Sequence, residues 1–218
     1  MKYFYGVDRY KKLIYSEIEQ GFNTEPHLRA LVLDLIDTCG ATTFVETGTL
    51  HGVTCDWLAA RRDIPILTCE VNKFCLDVSR KQCVSSIEIH EMSSEKFIPW
   101  VVNRVGDMPL FYLDAHSRPY WPLHDEFQAV CQWYDCAFIL LHDVKIPDNP
   151  GFGCQRQGGF ELDVDYIKAG LSSDCTYRLF LPNYVPNPKK QGYALLFQNI
   201  EPCGLCTTSD KYFEWRLE

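Results

Sequence analysis

Six residues of this chain have the types and the placing to do chemistry together: Glu46, Glu70, Asp114, His116, His142 and Asp143. Each ends an apolar run or stands just past one. Glu46 follows Phe44-Val45, Glu70 closes Ile66-Leu67-Thr68-Cys69, Asp114 closes Leu110-Phe111-Tyr112-Leu113, and His142-Asp143 follow Cys136 to Leu141. Short apolar runs read as buried strands, and ligands of open α/β sheets bind beyond the carboxyl ends of such strands. The alternation of elements places Asp114 and Asp143 at the ends of neighbouring strands. Two carboxylates held that close repel, and one cation between them removes the repulsion. Carboxylates and waters suit Mg²⁺ or Ca²⁺, whereas a histidine in the set shifts the choice toward Mn²⁺, Fe²⁺ or Zn²⁺. His116 or His142 can then take a proton from an acceptor. Alone, Asp114-x-His116 reads first as a turn cap beside a satisfied loop histidine. The second pair at the same sheet edge, His142-Asp143, is what supports a metal.

The elements that must position these groups alternate. Glu46-Thr47-Gly48-Thr49-Leu50-His51-Gly52 is a glycine-punctuated turn between a strand and the helix that starts at Val53. Such a turn is where an α/β sheet takes a nucleotide-like ligand, and Gly48 and Gly52 allow unusual φ or close approach. Asn23-Thr24-Glu25-Pro26 opens a helix with its stripe at Leu28, Leu31, Val32, Leu35 and Ile36, ended by Gly40. The pattern then predicts strands over 66–70, 87–92, 110–114 and 136–141, with helices over 73–83, 94–105 and 121–134. Strands alternating with helices make a parallel sheet covered on both faces. After a last helix over 162–171, the runs 177–181 and 193–197 are too close for a helical crossover and form an antiparallel hairpin. The expected fold is a Rossmann-like α/β domain with a seven-stranded, mostly parallel sheet and a C-terminal antiparallel hairpin. It divides into N-terminal helices over 1–40, a core over 41–200 and a tail over 201–218. An amphipathic helix over 8–20, carrying Tyr10, Leu13, Ile14 and Ile18, packs on the domain or on a second subunit, which leaves a homodimer open.

Composition narrows the function classes. A hydrophobic fraction of 46% supports a substantial core, and a formal charge of −8 argues against nucleic acid as the main partner. The basic pairs Arg61-Arg62 and Lys189-Lys190 look like solvated element ends. No apolar run approaches the roughly 20 residues of a membrane span, and the N-terminus lacks the apolar region of a signal peptide. Eleven cysteines, odd in number and scattered, read mostly as small core residues in the reducing compartment of a cytoplasmic protein. Cys203 and Cys206 form a lone CxxC with no second pair at zinc-finger spacing. Lys145 to Phe160, rich in glycine and proline and without periodicity, reads as a lid or binding loop.

With these residues in place, the sequence resembles a class I S-adenosylmethionine-dependent methyltransferase over roughly residues 28 to 200. Glu46 to Gly52 is similar to that family's first motif, although Leu50 stands where a middle glycine is usual. Glu70 matches the acidic residue that holds the ribose hydroxyls, and Met92-Ser93-Ser94 the loop beside the adenine. The resemblance implies S-adenosylmethionine as cofactor, held by Glu46, Thr47, Gly48, Thr49, Gly52, Glu70, Ser93, Ser94 and Asp114. Leu113-Asp114-Ala115-His116 and Leu141-His142-Asp143 resemble, more narrowly, the cation-holding segments of small-molecule O-methyltransferases of the macrocin and cephalosporin-biosynthesis type. That implies a divalent cation, Mg²⁺ or Mn²⁺, on Asp114, His142 and Asp143, with Asp114, His116 and His142 as the catalytic set. The acceptor is then a small-molecule or glycan hydroxyl. Aromatics in Ser117-Arg118-Pro119-Tyr120-Trp121 can stack on a ring of such an acceptor, or simply pack. Two other readings stand beside it. Glu70, some 20 residues past the glycine turn, also fits a nucleotide-binding oxidoreductase, against which the missing GxGxxG and the hairpin argue. The missing middle glycine fits a non-catalytic binding module on the same fold.

Overall fold

The computed structural model of the chain describes residues 21–115, 121–157, 159–202 and 204–217. The helix expected over 8–20 and the residues His116 to Tyr120 and Cys203 lie outside the described residues.

A left-handed turn, Gly21–Thr24, leads into α1 (Pro26–Asp37). Glu25 caps this helix by accepting the His27 N–H, and Pro26 sits at the first helical position, where its missing N–H costs nothing. Then come β1 (Thr43–Thr47), α2 (Val53–Ala59), β2 (Ile66–Glu70), α3 (Lys73–Gln82) and β3 (Ile87–Glu91). Next are α4 (Ser94–Trp100), β4 (Pro109–Leu113), α5 (Leu123–Trp133) and β5 (Ala137–His142). Helix α4 stops five residues short of the expected end, because Pro99 near its close supplies no N–H and the chain goes over to turns.

Beyond β5 the structure departs most from the sequence pattern. The described residues of Lys145 to Phe160, read as a lid or binding loop, carry short strands. These are β6 (Phe152–Gly153) and β7 (Arg156–Gln157), the latter paired with β8 (Phe160–Glu161). After α6 (Val164–Gly170) follow β9 (Tyr177–Pro182), β10 (Lys190–Gln191), which pairs with β6, and β11 (Tyr193–Gln198). The stretch read as a tail contains α7 (Gly204–Thr207) and β12 (Tyr212–Trp215).

The main sheet has eight strands, in the order β12-β9-β11-β5-β4-β1-β2-β3, where seven were expected. Its right-hand five are parallel, β11 runs antiparallel between β5 and β9 as the hairpin predicts, and β12 is the addition. Without it, β9 would present an open row of backbone donors and acceptors. Four consecutive residues with little alternation do not announce a strand.

Successive residues of the parallel strands face opposite layers. Phe44, Leu110, Tyr112, Phe138 and Leu140 pack under α1 and α2 with Leu31, Leu35 and Leu58. Val45, Phe111, Leu113, Ile139 and Leu141 pack on the other side with Phe97, Phe127, Val130 and Ile167. Burial on both faces gives the central strands their near-continuous apolar runs and fixes which edge their last residues reach. Of the described cysteines, Cys55, Cys69, Cys75 and Cys206 are buried free thiols, whereas Cys39 is disulfide-bonded. No helix among the described residues is long and apolar enough to cross a membrane.

Candidate functional site

The turn after β1 is shaped by Gly48, at φ 82. A Cβ there would sit 3.0 Å from Ala115 Cα and 3.2 Å from the Asp114 carbonyl, so glycine lets this turn lie against the chain leaving β4. The Gly48 and Thr49 N–H groups both donate to the Cys69 carbonyl, at 3.1 and 2.9 Å. The turn is thereby tied to the end of β2. Glu70, the last residue of β2, is held from both sides: Leu50 N–H donates to Oε2 at 2.9 Å and Asn72 N–H to Oε1 at 2.7 Å. Asn72 in turn caps α3 through the Phe74 and Cys75 N–H groups.

A cavity of about 490 Å³ opens over this edge, within the size range of small-molecule sites. Of the residues expected to hold a cofactor, Gly48, Glu70, Ser93, Ser94 and Asp114 line it, and Val71 and Met92 add apolar wall. Glu46, Thr47, Thr49 and Gly52 are not among its lining residues. They support the turn from behind. The Glu46 carboxyl is buried, accepting from Thr68 Oγ1 and Cys55 Sγ at 3.0 Å each. Burial pushes its pKa up to about 8, against the pull of those two donors, so it is mostly protonated at neutral pH. Thr47 Oγ1 accepts the Asp114 N–H at 3.3 Å, and the Thr49 hydroxyl pairs with that of Thr68. Gly52 caps α2 at φ 79, where a Cβ would meet Cys83 Sγ at 2.1 Å.

Glu126, on α5, is a further acidic group that sequence reasoning passed over. It is fully buried, and burial pushes its carboxyl up to about 7 despite the neighbouring hydroxyls of Ser94 and Thr47. Its contact with those two residues places it behind the cavity wall. An acidic residue following Asp125 on an amphipathic helix looks like part of the solvated face, which is why nothing in the sequence marks it.

Beside the cavity, three groups converge. His142 Nδ1 lies 3.1 Å from Asp114 Oδ1 and 3.3 Å from Asp143 Oδ1, and one ligand atom from each of the three residues falls within 4.8 Å of the others. Asp143 reaches its position through a left-handed backbone, φ 63. An octahedral cation with bonds near 2 Å sets neighbouring ligands about 3 Å apart, so the donor set and its spacing fit a divalent cation. His142 is buried. Burial disfavours its charge, but Asp114 and Asp143 beside it outweigh burial and raise its pKa to about 9. Its other nitrogen, Nε2, faces Asn23 Nδ2 at 3.1 Å. Both ring nitrogens therefore face polar partners, and neither is an open base. A small second cavity runs between Asp114, His142, Asp143, Gln155, Trp121 and Leu162. Trp121 also stacks on Tyr166 at 4.9 Å, so it packs and lines at once. His116, the alternative base, lies outside the described residues.

The sequence matches no protein-family model and no curated protein. Solved structures do resemble the fold. An O-methyltransferase from Bacillus cereus in complex with SAH aligns over 84% of this chain and 90% of its own, at TM-score 0.57 and 14% identity. The O-methyltransferase TomG from Streptomyces achromogenes, involved in tomaymycin synthesis and solved with SAM, covers 85% and 88% at TM-score 0.53 and 18% identity. SAM-bound CalS10 from Micromonospora echinaspora, an amino pentose methyltransferase, covers 91% and 99% at TM-score 0.56 and 10% identity. With the reversed β11 lying between β5 and β9, these likenesses define the class I methyltransferase fold.

Proposed function

We propose that the protein is an S-adenosylmethionine-dependent methyltransferase that methylates a hydroxyl of a small molecule or glycan with the help of a divalent cation. The observation that carries this is the place of Asp114. It lines the large cavity, into which the anchored Glu70 faces, and it is one of the three converging groups next door. On this reading the donor site and the cation site share a wall. SAM or SAH in the similar structures, and the O-methyltransferase and amino pentose chemistry named for them, point the same way.

In such a transfer the sulfonium–methyl bond breaks as the methyl–oxygen bond forms, in line, and the acceptor proton leaves. Glu70, kept fixed by the Leu50 and Asn72 N–H groups, would accept the ribose hydroxyls. Ser93 and Ser94, at the start of α4, would meet the base end, and Gly48 would let the turn backbone come close to the amino-acid end. Asp114, His142 and Asp143 would hold the cation, which supplies a lower pKa and a fixed position to the acceptor hydroxyl. Trp121 and Gln155 line the small cavity beside these three groups. His116 is the proposed proton acceptor.

The test joins cofactor and metal. S-adenosylhomocysteine at 100 times its Kd stabilises by about 2.7 kcal/mol and raises the melting temperature. Glu70→Ala is expected to abolish that shift, and stabilisation by NADH in its place would overturn the reading. Methyl transfer is expected to stop with EDTA and return with Mg²⁺ or Mn²⁺. Full turnover in chelator would remove the cation from the mechanism.

A further inference from the structure

The turn Gly21–Thr24 has no evident reason to be strained. Phe22, Asn23 and Thr24 follow one another at φ 54, 52 and 58, a region that side-chain-bearing residues rarely adopt even singly. Its anchors are strong. The buried Phe22 ring packs edge-on against Trp57 at 5.5 Å and Tyr112 at 5.3 Å. Arg29 Nε donates to the Gly21 carbonyl at 2.8 Å, and Lys190 Nζ to the Asn23 carbonyl at 2.9 Å. What the turn delivers is a carboxamide, exposed on its outer side, 3.1 Å from Nε2 of the buried His142.

We propose that Asn23 is a positioning residue that holds the His142 ring with Nδ1 turned toward Asp114 and Asp143. The inference rests on the cation reading given above. Asn23 Nδ2 lies 3.1 Å from His142 Nε2, and the carboxamide donates there whenever that nitrogen is bare. A cation on Nδ1 requires that nitrogen to be bare and Nε2 to carry the proton. A half-turn of the carboxamide offers Oδ1 as acceptor at the same reach. Asparagine therefore serves the ring in both states, whereas a donor-only or acceptor-only side chain serves one. Tolerance of positive φ alone does not account for asparagine here, because phenylalanine and threonine take the same conformation on either side.

Asn23→Gly separates the two explanations, since glycine adopts φ 52 without strain and removes only the carboxamide. Calorimetric titration with Mn²⁺ is expected to show affinity weakened 10- to 100-fold, the range typical of lost partners of metal-bound histidines. The melting shift with S-adenosylhomocysteine stays as in the unaltered protein. Asn23→Asp, which keeps an acceptor for Nε2–H, restores Mn²⁺ affinity. Ring ¹⁵N spectra of His142 in the metal-free protein at alkaline pH give a second, metal-independent readout: one tautomer with Asn23, a mixture with glycine. Unchanged Mn²⁺ affinity together with an unchanged tautomer in Asn23→Gly overturns the proposal. If the unaltered protein takes up no Mn²⁺, the cation reading fails by itself. The role of Asn23 as holder of the ring is then decided by the tautomer spectra alone.

Discussion

Glu46 illustrates how burial decides the work of a single residue. In the unfolded chain it titrates at its ordinary value of 4.5; folded, under the turn, it titrates at about 8. Its folded pKa is raised, so the stability linked to its protonation is complete below about pH 4.5 and is lost as pH climbs through about 8. Glu46→Gln keeps an acceptor for Thr68 and Cys55 and cannot ionise. The variant is expected to lose less melting temperature between pH 5 and about 8.5 than the unaltered protein. Glu126, raised to about 7 by burial, leaves both proteins a common residual slope of the same sign. Parallel melting curves would show that Glu46 is charged in the folded state. At this scale, strand-end groups were legible in the sequence: Glu70, Asp114, His142 and Asp143 stand where their apolar runs stop. Asn23 was not, because its contact spans 119 residues and depends on a left-handed turn that no periodicity announces. Glu126 was not, because a helix pattern cannot tell a buried acid from a solvated one.

Among the elements, the segment from Lys145 to Phe160 shows where pattern reading stops. Its strands are two residues long, too short to display a period of two, and its glycines and prolines look like a loop. The backbone nevertheless closes on itself. Lys145 N–H donates to Leu162 O at 2.6 Å, Gln155 N–H to Asp143 O at 2.8 Å, and Leu162 N–H to Gln155 O at 3.1 Å. Gly192 N–H reaches Gly153 O at 2.9 Å, and Val144 N–H reaches Gly192 O at 2.9 Å. A Cβ on Gly192 would fall 2.0 Å from the Val144 carbonyl, so this crossing admits only glycine. These bonds grip both sides of Asp143 and so hold one of the three converging groups in place. Amides of Lys145, Gln155 and Leu162 are accordingly expected to be protected from hydrogen exchange in the ligand-free protein. Fast exchange that slows only with cofactor and acceptor would restore the lid. The long strands and most helices, by contrast, were legible because burial on both sheet faces writes itself into continuous apolar runs.

For the whole molecule, the sheet order separates stability from chemistry. The large cavity lies over β1, β2 and β4, while β12 closes the opposite edge, beyond β9, β11 and β5. β12 pairs with β9 from Tyr212↔Pro182 to Trp215↔Leu179. Arg178 holds Glu214 with two bonds, at 2.6 and 2.7 Å. Phe213 and Trp215 pack on the core, and Tyr212, buried, donates to the His27 carbonyl of α1 at 3.3 Å. Truncation after Thr208 strips these contacts at once. Burying an aromatic side chain of this kind contributes about 1.5–3 kcal/mol, so losing one buried and two partly buried rings is expected to cost several kcal/mol. The urea midpoint should fall accordingly. The bared β9 edge should also promote association, visible as larger species by size exclusion at rising concentration. S-adenosylhomocysteine affinity, measured on the folded fraction below the midpoint, should stay within a few-fold of the full chain, because β12 lies at the far end of the strand order from the cavity. A truncated protein with the original midpoint would show that β12 is a passive addition. One that keeps the midpoint but loses the cofactor would contradict the separation of the two edges.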